Sequence, residues 1–451
     1  MLQQRHVSLE RSSMESIRHY KGLLKLGVPI MIGQLGIIVL SFADTIMVGW
    51  HSTEELAAAG FVNNLFNLAI VFSTGFSYGI TPVVGSSFGK GDKGGVGSIL
   101  KNGLVASGLM SILVLAVMLI LFFCVGSLGQ PEELLPIIRP YYLVILASIP
   151  FVMLFNAFRQ FADGITDTDT SMWILLSGNL LNIFLNWVLI YGKLGLPELG
   201  LLGAGVATLI SRVLMLTIFV LVFFLFKRYT SYKEGFLRSN CSKQECLKIN
   251  RLGIPVAFQM GMETASFSLS TIMVGWLGTI ALASHQVMLT VGQMGFMLYY
   301  GMAAAVSIKV SVFKGEGDMK VVKSVARSGI HIIFALAFVV SVIMLLLRNK
   351  IGLLFSDNEA VVQMVAALIL PFALYQFGDG LQCNYSNVLR GLEDVKPAMI
   401  IAILAYFIIS LPIGYLFGFI FDWGLVGIWL SYFFGLTSAG AMFYYRFVTK
   451  W

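Results

Sequence analysis

Twelve stretches of the chain stay apolar for about 20 residues each, the length a helix needs to cross a hydrocarbon core of about 30 Å. They run from Leu26 to Val48, Phe61 to Val84, Leu100 to Val125, Tyr141 to Phe161, Trp173 to Tyr191, Ala204 to Phe226, Ile254 to Trp276, Gln286 to Val310, Gly329 to Leu347, Val361 to Ser386, Ala398 to Phe419 and Leu425 to Phe447. Charged residues gather in the short segments between them. Each stretch is too long for a strand of a membrane barrel, which needs about 10 alternating residues. The pattern predicts an all-α integral membrane protein with twelve transmembrane helices.

Composition narrows the class. Of 451 residues, 57% are hydrophobic and 12% charged, against about 25% charged in an ordinary soluble domain. A mean hydropathy of +0.85 leaves too little polar surface for a water-soluble enzyme. Lys and Arg divide unevenly over alternate loops, with 25 on the N-terminal side, 4 on the other and 1, Arg212, inside a span. Basic loops stay in the cytoplasm, so both termini are expected there. Residues 1 to 22 are polar, carry Arg5, Arg11 and Arg18, and show no apolar segment followed by a cleavage site. The same asymmetry explains the net charge of +7 without nucleic acid as a partner. Cys124, Cys241, Cys246 and Cys383 show neither a disulfide framework nor zinc-ligand spacing.

Laid over itself so that Gly27 meets Gly253, the chain matches its own second half. Gly27 to Trp50 then aligns with Gly253 to Trp276, with TIMVGW identical in both, and 16 of 66 positions agree as far as GKGD over GEGD at Asp92 and Asp318. A weaker echo pairs DGITDTDTSM from Asp163 with RGLEDVKPAM from Arg390. Two parallel six-helix repeats follow: an N-lobe at 24–226 and a C-lobe at 252–451, a cytoplasmic tail at 1–23 and a linker at 227–251. Parallel repeats suit a transporter with its site between two lobes. No GxxxxGK[ST] loop is present to bind nucleotide, so transport must draw on an ion gradient or a partner.

Three acidic residues lie inside spans: Asp44, Glu263 and Asp379. An ionised carboxylate at the centre of a membrane helix costs about 2.5 to 3.5 kcal/mol on insertion scales. It persists where it faces water, pairs with a cation or takes a proton, and each of these is transport chemistry. Asn179, Asn182 and Asn186 share one face of the fifth span, Gln34, Gln286, Tyr375 and Gln376 are also deep, and Pro29 and Pro255 occupy equivalent places in the first and seventh spans. Polar residues of this kind also join helices, and proline also starts or bends them.

FADTIMVG in span 1, LNIFLNWVLIYGKLGLPELGLLGAGVAT across spans 5 and 6, GIPVAFQMGME in span 7, and YQFGDGLQ with LRGLEDVKPA around span 10 resemble the multidrug and toxic compound extrusion (MATE) family, in its NorM-like bacterial branch. The likeness runs from about Leu24 to Phe447. It implies a monomeric antiporter of the bacterial inner membrane, not an enzyme and without a cofactor, whose two lobes form a V and which expels organic, mostly cationic drugs in exchange for Na+ or H+. By the same resemblance, Asp44, Glu263 and Asp379 match the acids of spans 1, 7 and 10 and are the candidates for holding the coupling ion or proton, with Na+ placed at Glu263 and Asp379, and Tyr375 and Gln286 match polar positions beside that pair. Asp44 also attracts substrate. Asn182, Asn186 and Thr208 match the N-lobe cation site of the DinF-like branch, where the place of Asn186 is commonly an Asp, and Pro29 matches a proline proposed to bend there. The alternative is a lipid-linked oligosaccharide flippase of the same superfamily, which would carry several basic residues in its central spans; here Arg212 stands against three acids. The orientation is checked by labelling from outside: a Cys placed at Glu132 is expected to react and one at Lys243 to be spared, and the reverse pattern would invert the topology.

Overall fold

The computed structural model describes residues 2–127 and 131–451, with side chains from residue 17 onward; the side chains of Arg5 and Arg11 lie outside the described residues. Fifteen helical segments follow one another: α1 (Leu2–His51), α2 (Thr53–Ser77), α3 (Ile80–Gly89), α4 (Lys93–Cys124), α5 (Leu135–Gly164), α6 (Thr168–Ile190), α7 (Gly200–Leu225), α8 (Thr230–Arg238), α9 (Lys243–Gly275), α10 (Thr279–Glu316), α11 (Met319–Leu346), α12 (Glu359–Gly391), α13 (Lys396–Ala402), α14 (Leu411–Tyr415) and α15 (Gly424–Lys450). There is no strand among the described residues. Eleven helical stretches among these residues are long and apolar enough to cross a membrane. The expected seventh span is α9, long enough at 33 residues, but its membrane half carries Gln259, Glu263, Thr264, Ser266, Ser268, Ser270 and Thr271. Polar residues on this helix, not a break in it, remove it from the apolar set.

The eleventh span, Lys396–Ile420, joins α13 to α14 through a π-helical segment at Ile403–Ser410 and continues through another at Leu416–Ile420. Pro412 lies at the start of α14. It has no N–H to give the carbonyl one turn back and its ring crowds that turn, which accounts for the widened winding ahead of it.

Contacts group the chain into two compact units, residues up to Met31 with Phe258–Trp451, and Ile32–Ala257. The expected lobes change at the loop 227–251, whereas the units change inside α1 and α9, at equivalent positions of the internal repeat and shortly after a proline, Pro29 or Pro255. Close helix approaches explain this. Gly27 lies so near α10 that a Cβ there would meet Met302 at 2.7 Å, and Gly253 so near α2 and α3 that a Cβ would meet Phe76 O at 2.5 Å. At Gly253 the neighbour is backbone, so only glycine permits the approach, whereas at Gly27 it is the end of the flexible Met302 side chain. Leu23, Leu26 and Ile30 accordingly belong to the hydrophobic core of the C-terminal unit, with Met302, Ala305 and Val306.

The internal repeat reappears in the backbone. Gly91 and Gly317 both take positive φ, 75° and 82°, ahead of Asp92 and Asp318, whose side chains accept the first amides of α4 and α11. Thr166 and Glu393 likewise share positive φ, 66° and 61°, each followed by an aspartate that holds a cation. Asp167 pairs with Arg228. Asp394 accepts from Arg446 Nε at 2.9 Å, pairs with Lys450 at 3.0 Å and takes the Trp451 indole at 3.5 Å. Each unit is organised around one helix: α5 against α2, α3, α4 and α7, and α12 against α10, α11 and α15.

Burial would lift the Asp394 carboxyl, but hydrogen bonds from Arg446 and Lys450 outweigh it and hold the group below its ordinary value. A depressed carboxyl contributes stability above its unfolded pKa and loses it as pH falls through the folded one. Asp394→Asn is therefore expected to lower the melting temperature of the purified protein at neutral pH by roughly 2–4 °C, and the gap to close in acid below about pH 4. A gap of constant size across this range would contradict the ion-pair account.

Candidate functional site

The acids expected to act together occupy the C-terminal unit. Asp379 lies on α12, the central helix of that unit, and is 1% exposed. Its Oδ1 accepts only the weak Cys383 Sγ donor at 3.6 Å, and Oδ2 has no hydrogen-bond partner within the protein. Glu263, half-buried on α9, is better provided: Gln382 Nε2 donates to its Oε2 at 3.3 Å and to the Tyr406 hydroxyl at 2.9 Å, and that hydroxyl also hydrogen-bonds Glu263. Glu263 is close enough for its charge to act on Asp379, Arg390 of α12 acts on Glu263, and both carboxylates act on the Tyr375 hydroxyl. Tyr375 in turn packs its ring on Phe372, Trp429 and Tyr432. Glu263, Asp379 and Tyr375 are thus brought together as expected.

Gln286 is not part of this group. It is exposed on α10, while its neighbour His285, fully buried, points inward to Thr271 of α9, Nε2 to Oγ1 3.1 Å. Gln376, one turn before Asp379, is 0% exposed and neither amide atom has a partner within the protein; the Tyr299 hydroxyl, which senses the Asp379 charge, is also unpartnered. Buried polar atoms are normally satisfied, so this edge of α12 is built to meet a proton, a cation or water. Among the described residues no three His, Cys, Asp or Glu side chains group as metal ligands; the oxygens of Asp379, Gln376 and Tyr299 are of the kind a hard cation takes. Gln382 and Tyr406 escaped the expected set, although Gln382 lies within the YQFGDGLQ motif and one turn from Asp379.

Asp44 lies in the N-terminal unit, half-buried on α1. Asn186 Nδ2 donates to its Oδ1 at 2.5 Å and to Asn182 Oδ1 at 3.0 Å, and Asn182 Nδ2 reaches Thr208 Oγ1 at 3.3 Å. With the Asn182 amide turned over, its nitrogen donates to Asp44 Oδ1 at 3.1 Å instead; either way Asp44, Asn182, Asn186 and Thr208 form one cluster. Arg212 of α7, the basic residue inside a span of the same lobe, lies within reach of the Asp44 field. A groove lined by Met47, Trp50, Phe184, Trp187, Tyr191 and Lys193 opens on α1, α6 and the turn that follows α6. Pro29 is buried in α1, within the part of that helix that belongs to the other unit.

Comparison with known proteins bears on the fold and its internal repeat. A family profile described as MatE matches residues 29–188 and 255–416, two segments that start at equivalent positions of the internal repeat. The chain is 30% identical over 437 residues to the multidrug resistance protein NorM of Photobacterium profundum, covering 94% of each. It is 32% identical over 426 residues to NorM of Vibrio cholerae serotype O1, covering 93% of each. A solved structure described as the outward-facing conformation of a multidrug resistance MATE family transporter of the MOP superfamily superposes with a TM-score of 0.88 at 21% identity, over 96% of both chains. The repeated segments, their fold and their relatives agree, and the chain belongs to the MatE family of membrane transporters.

Proposed function

We propose that the protein is a monomeric antiporter of the bacterial inner membrane, with both termini cytoplasmic, that exports organic cations and related drugs in exchange for Na+ or H+. The observation that carries this reading is Asp379, a carboxylate enclosed in the central helix of its unit with one oxygen unpartnered. A group in that position is stable only with a proton or a cation on it. Glu263, close by and supplied with donors, repels a second negative charge, so the pair favours holding one positive charge between them. Release of that charge leaves two facing carboxylates, and the cost of that state couples ion release to a change of conformation. Asp44 lies apart, with an aromatic groove on its own helices, and meets the ammonium group of the substrate. The two NorM relatives are named as multidrug resistance proteins, in keeping with this class of cargo.

Cells producing the protein are expected to tolerate several unrelated organic cations, and to lose that tolerance when a protonophore is combined with removal of Na+. In purified protein, Glu263→Gln and Asp379→Asn are each expected to bind a cationic dye yet no longer release it on addition of Na+ or acid, whereas Asp44→Asn weakens binding itself. Efflux that persists without either gradient, or dye release from Glu263→Gln with the wild-type ion dependence, would overturn this reading.

A further inference from the structure

Arg212 is the only basic residue deep inside an apolar span, and its surroundings are built rather than incidental. It sits on α7 one turn after Thr208, so both face the Asp44 cluster. Its Nη1 donates to Ser148 Oγ of α5 at 2.6 Å. The single hydroxyl hydrogen of Ser148 is committed to Ile145 O at 2.6 Å, so the oxygen is left as an oriented acceptor that holds the guanidinium. Asp44 and Arg212 act on each other electrostatically, and both act on the Tyr141 hydroxyl, which donates to Asn63 of α2 at 3.2 Å. Asp44 takes its hydrogen bonds from neutral asparagine amides and forms no ion pair within 4.0 Å among those seen for the described residues. The charged and titratable groups that meet here are Asp44 from α1, Tyr141 from α5 and Arg212 from α7, while α2 and α6 contribute only amides.

We propose that Arg212 is the fixed counter-charge of Asp44: it balances the carboxylate without touching it, so that the N-terminal unit needs no exchangeable Na+ or proton and keeps Asp44 free for the ammonium of an organic cation. The proposal rests on the antiport reading above and adds a specificity-determining residue to it. For like charges about 10 Å apart at an effective dielectric of about 20, repulsion weakens binding by about tenfold, which sets the scale expected of Arg212 against an ammonium at Asp44. Arg212 therefore lowers affinity for the cargo while it keeps small ions out, which favours release.

The test isolates this unit. In protein carrying Glu263→Gln and Asp379→Asn, which removes the other acidic pair as a competitor, ethidium binding is measured with and without Na+ and from mildly alkaline to mildly acid pH. Binding is expected to be indifferent to both. Adding Arg212→Met should tighten ethidium binding about tenfold and make it sensitive to displacement by Na+ or mild acid, and a further Asp44→Asn should abolish that new sensitivity. Arg212→Lys should restore indifference. Ser148→Ala, which keeps every charge but removes the acceptor that holds the guanidinium, should give the same change to a smaller degree and serves if Arg212→Met does not fold. Displacement by Na+ or mild acid with Arg212 intact, an Arg212→Met protein with unchanged affinity and ion response, or loss of ethidium binding in the double variant would each overturn the proposal. Wild-type protein that binds ethidium but fails to exchange it for either ion defeats the antiport reading alone and leaves this competition result standing.

Discussion

Everything in the C-terminal unit is arranged around one awkward fact, a carboxylate in the middle of its most enclosed helix. From Phe372 to Gly391 α12 is buried almost without interruption, because α10, α11 and α15 pack on it from several sides. Water cannot solvate Asp379 there, and the protein supplies only a thiol to one of its oxygens. Such a group must bind a positive charge or disturb the packing around it, and in the antiport we propose that dependence is the coupling device. The polarity of α9 follows from the same need. A helix that must present Glu263 to this site cannot be uniformly apolar, and its serines and threonines satisfy themselves by bonding back to their own helix, as Thr264, Ser268 and Thr271 do.

The two units share a scaffold and have diverged in their charges. Left-handed turns at Gly91 and Gly317, and at Thr166 and Glu393, recur with the same aspartate after each, and the two central helices α5 and α12 play matching parts. In the N-terminal unit the acid sits at the edge, on α1, among asparagines and near a permanent cation. In the C-terminal unit Glu263 also lies in the field of an arginine, Arg390, while Asp379 is met only by the Cys383 thiol. A carboxylate in the field of an arginine and one met only by a thiol should respond differently to an approaching ion, in line with the proposed division between cargo recognition and energy coupling.

Much of this was legible in the sequence, for reasons that can be stated. Hydropathy reveals spans because lipid tolerates few polar groups, and the three acids inside the spans stand out for the same reason. The internal repeat was readable because turns need particular residues, Gly then Asp. What the sequence concealed was facing. Gln286 and His285 differ by one position, about 100° around a helix, and depth alone does not say which of them points inward. Tyr406 reaches Glu263 from a π-helical segment, where the ordinary 3.6-residue period no longer tells which face a residue occupies. The unit boundaries within α1 and α9 were hidden because a repeat marks covalent halves, whereas packing follows close approaches such as that of Gly27 to Met302. Arg212 could be seen as unusual, but which of the three acids its field reaches could not.

The central claim is that inward movement of a small cation through the Glu263 and Asp379 site drives outward movement of an organic one. The most direct measurement is ethidium transport in proteoliposomes of the purified wild-type protein, with Na+ and pH gradients imposed separately and in both directions. The account predicts that at least one of the two gradients drives ethidium against its own gradient and that reversing that ion gradient reverses the flow. Ethidium movement at the same rate with no gradient, or with either gradient in either direction, would contradict it.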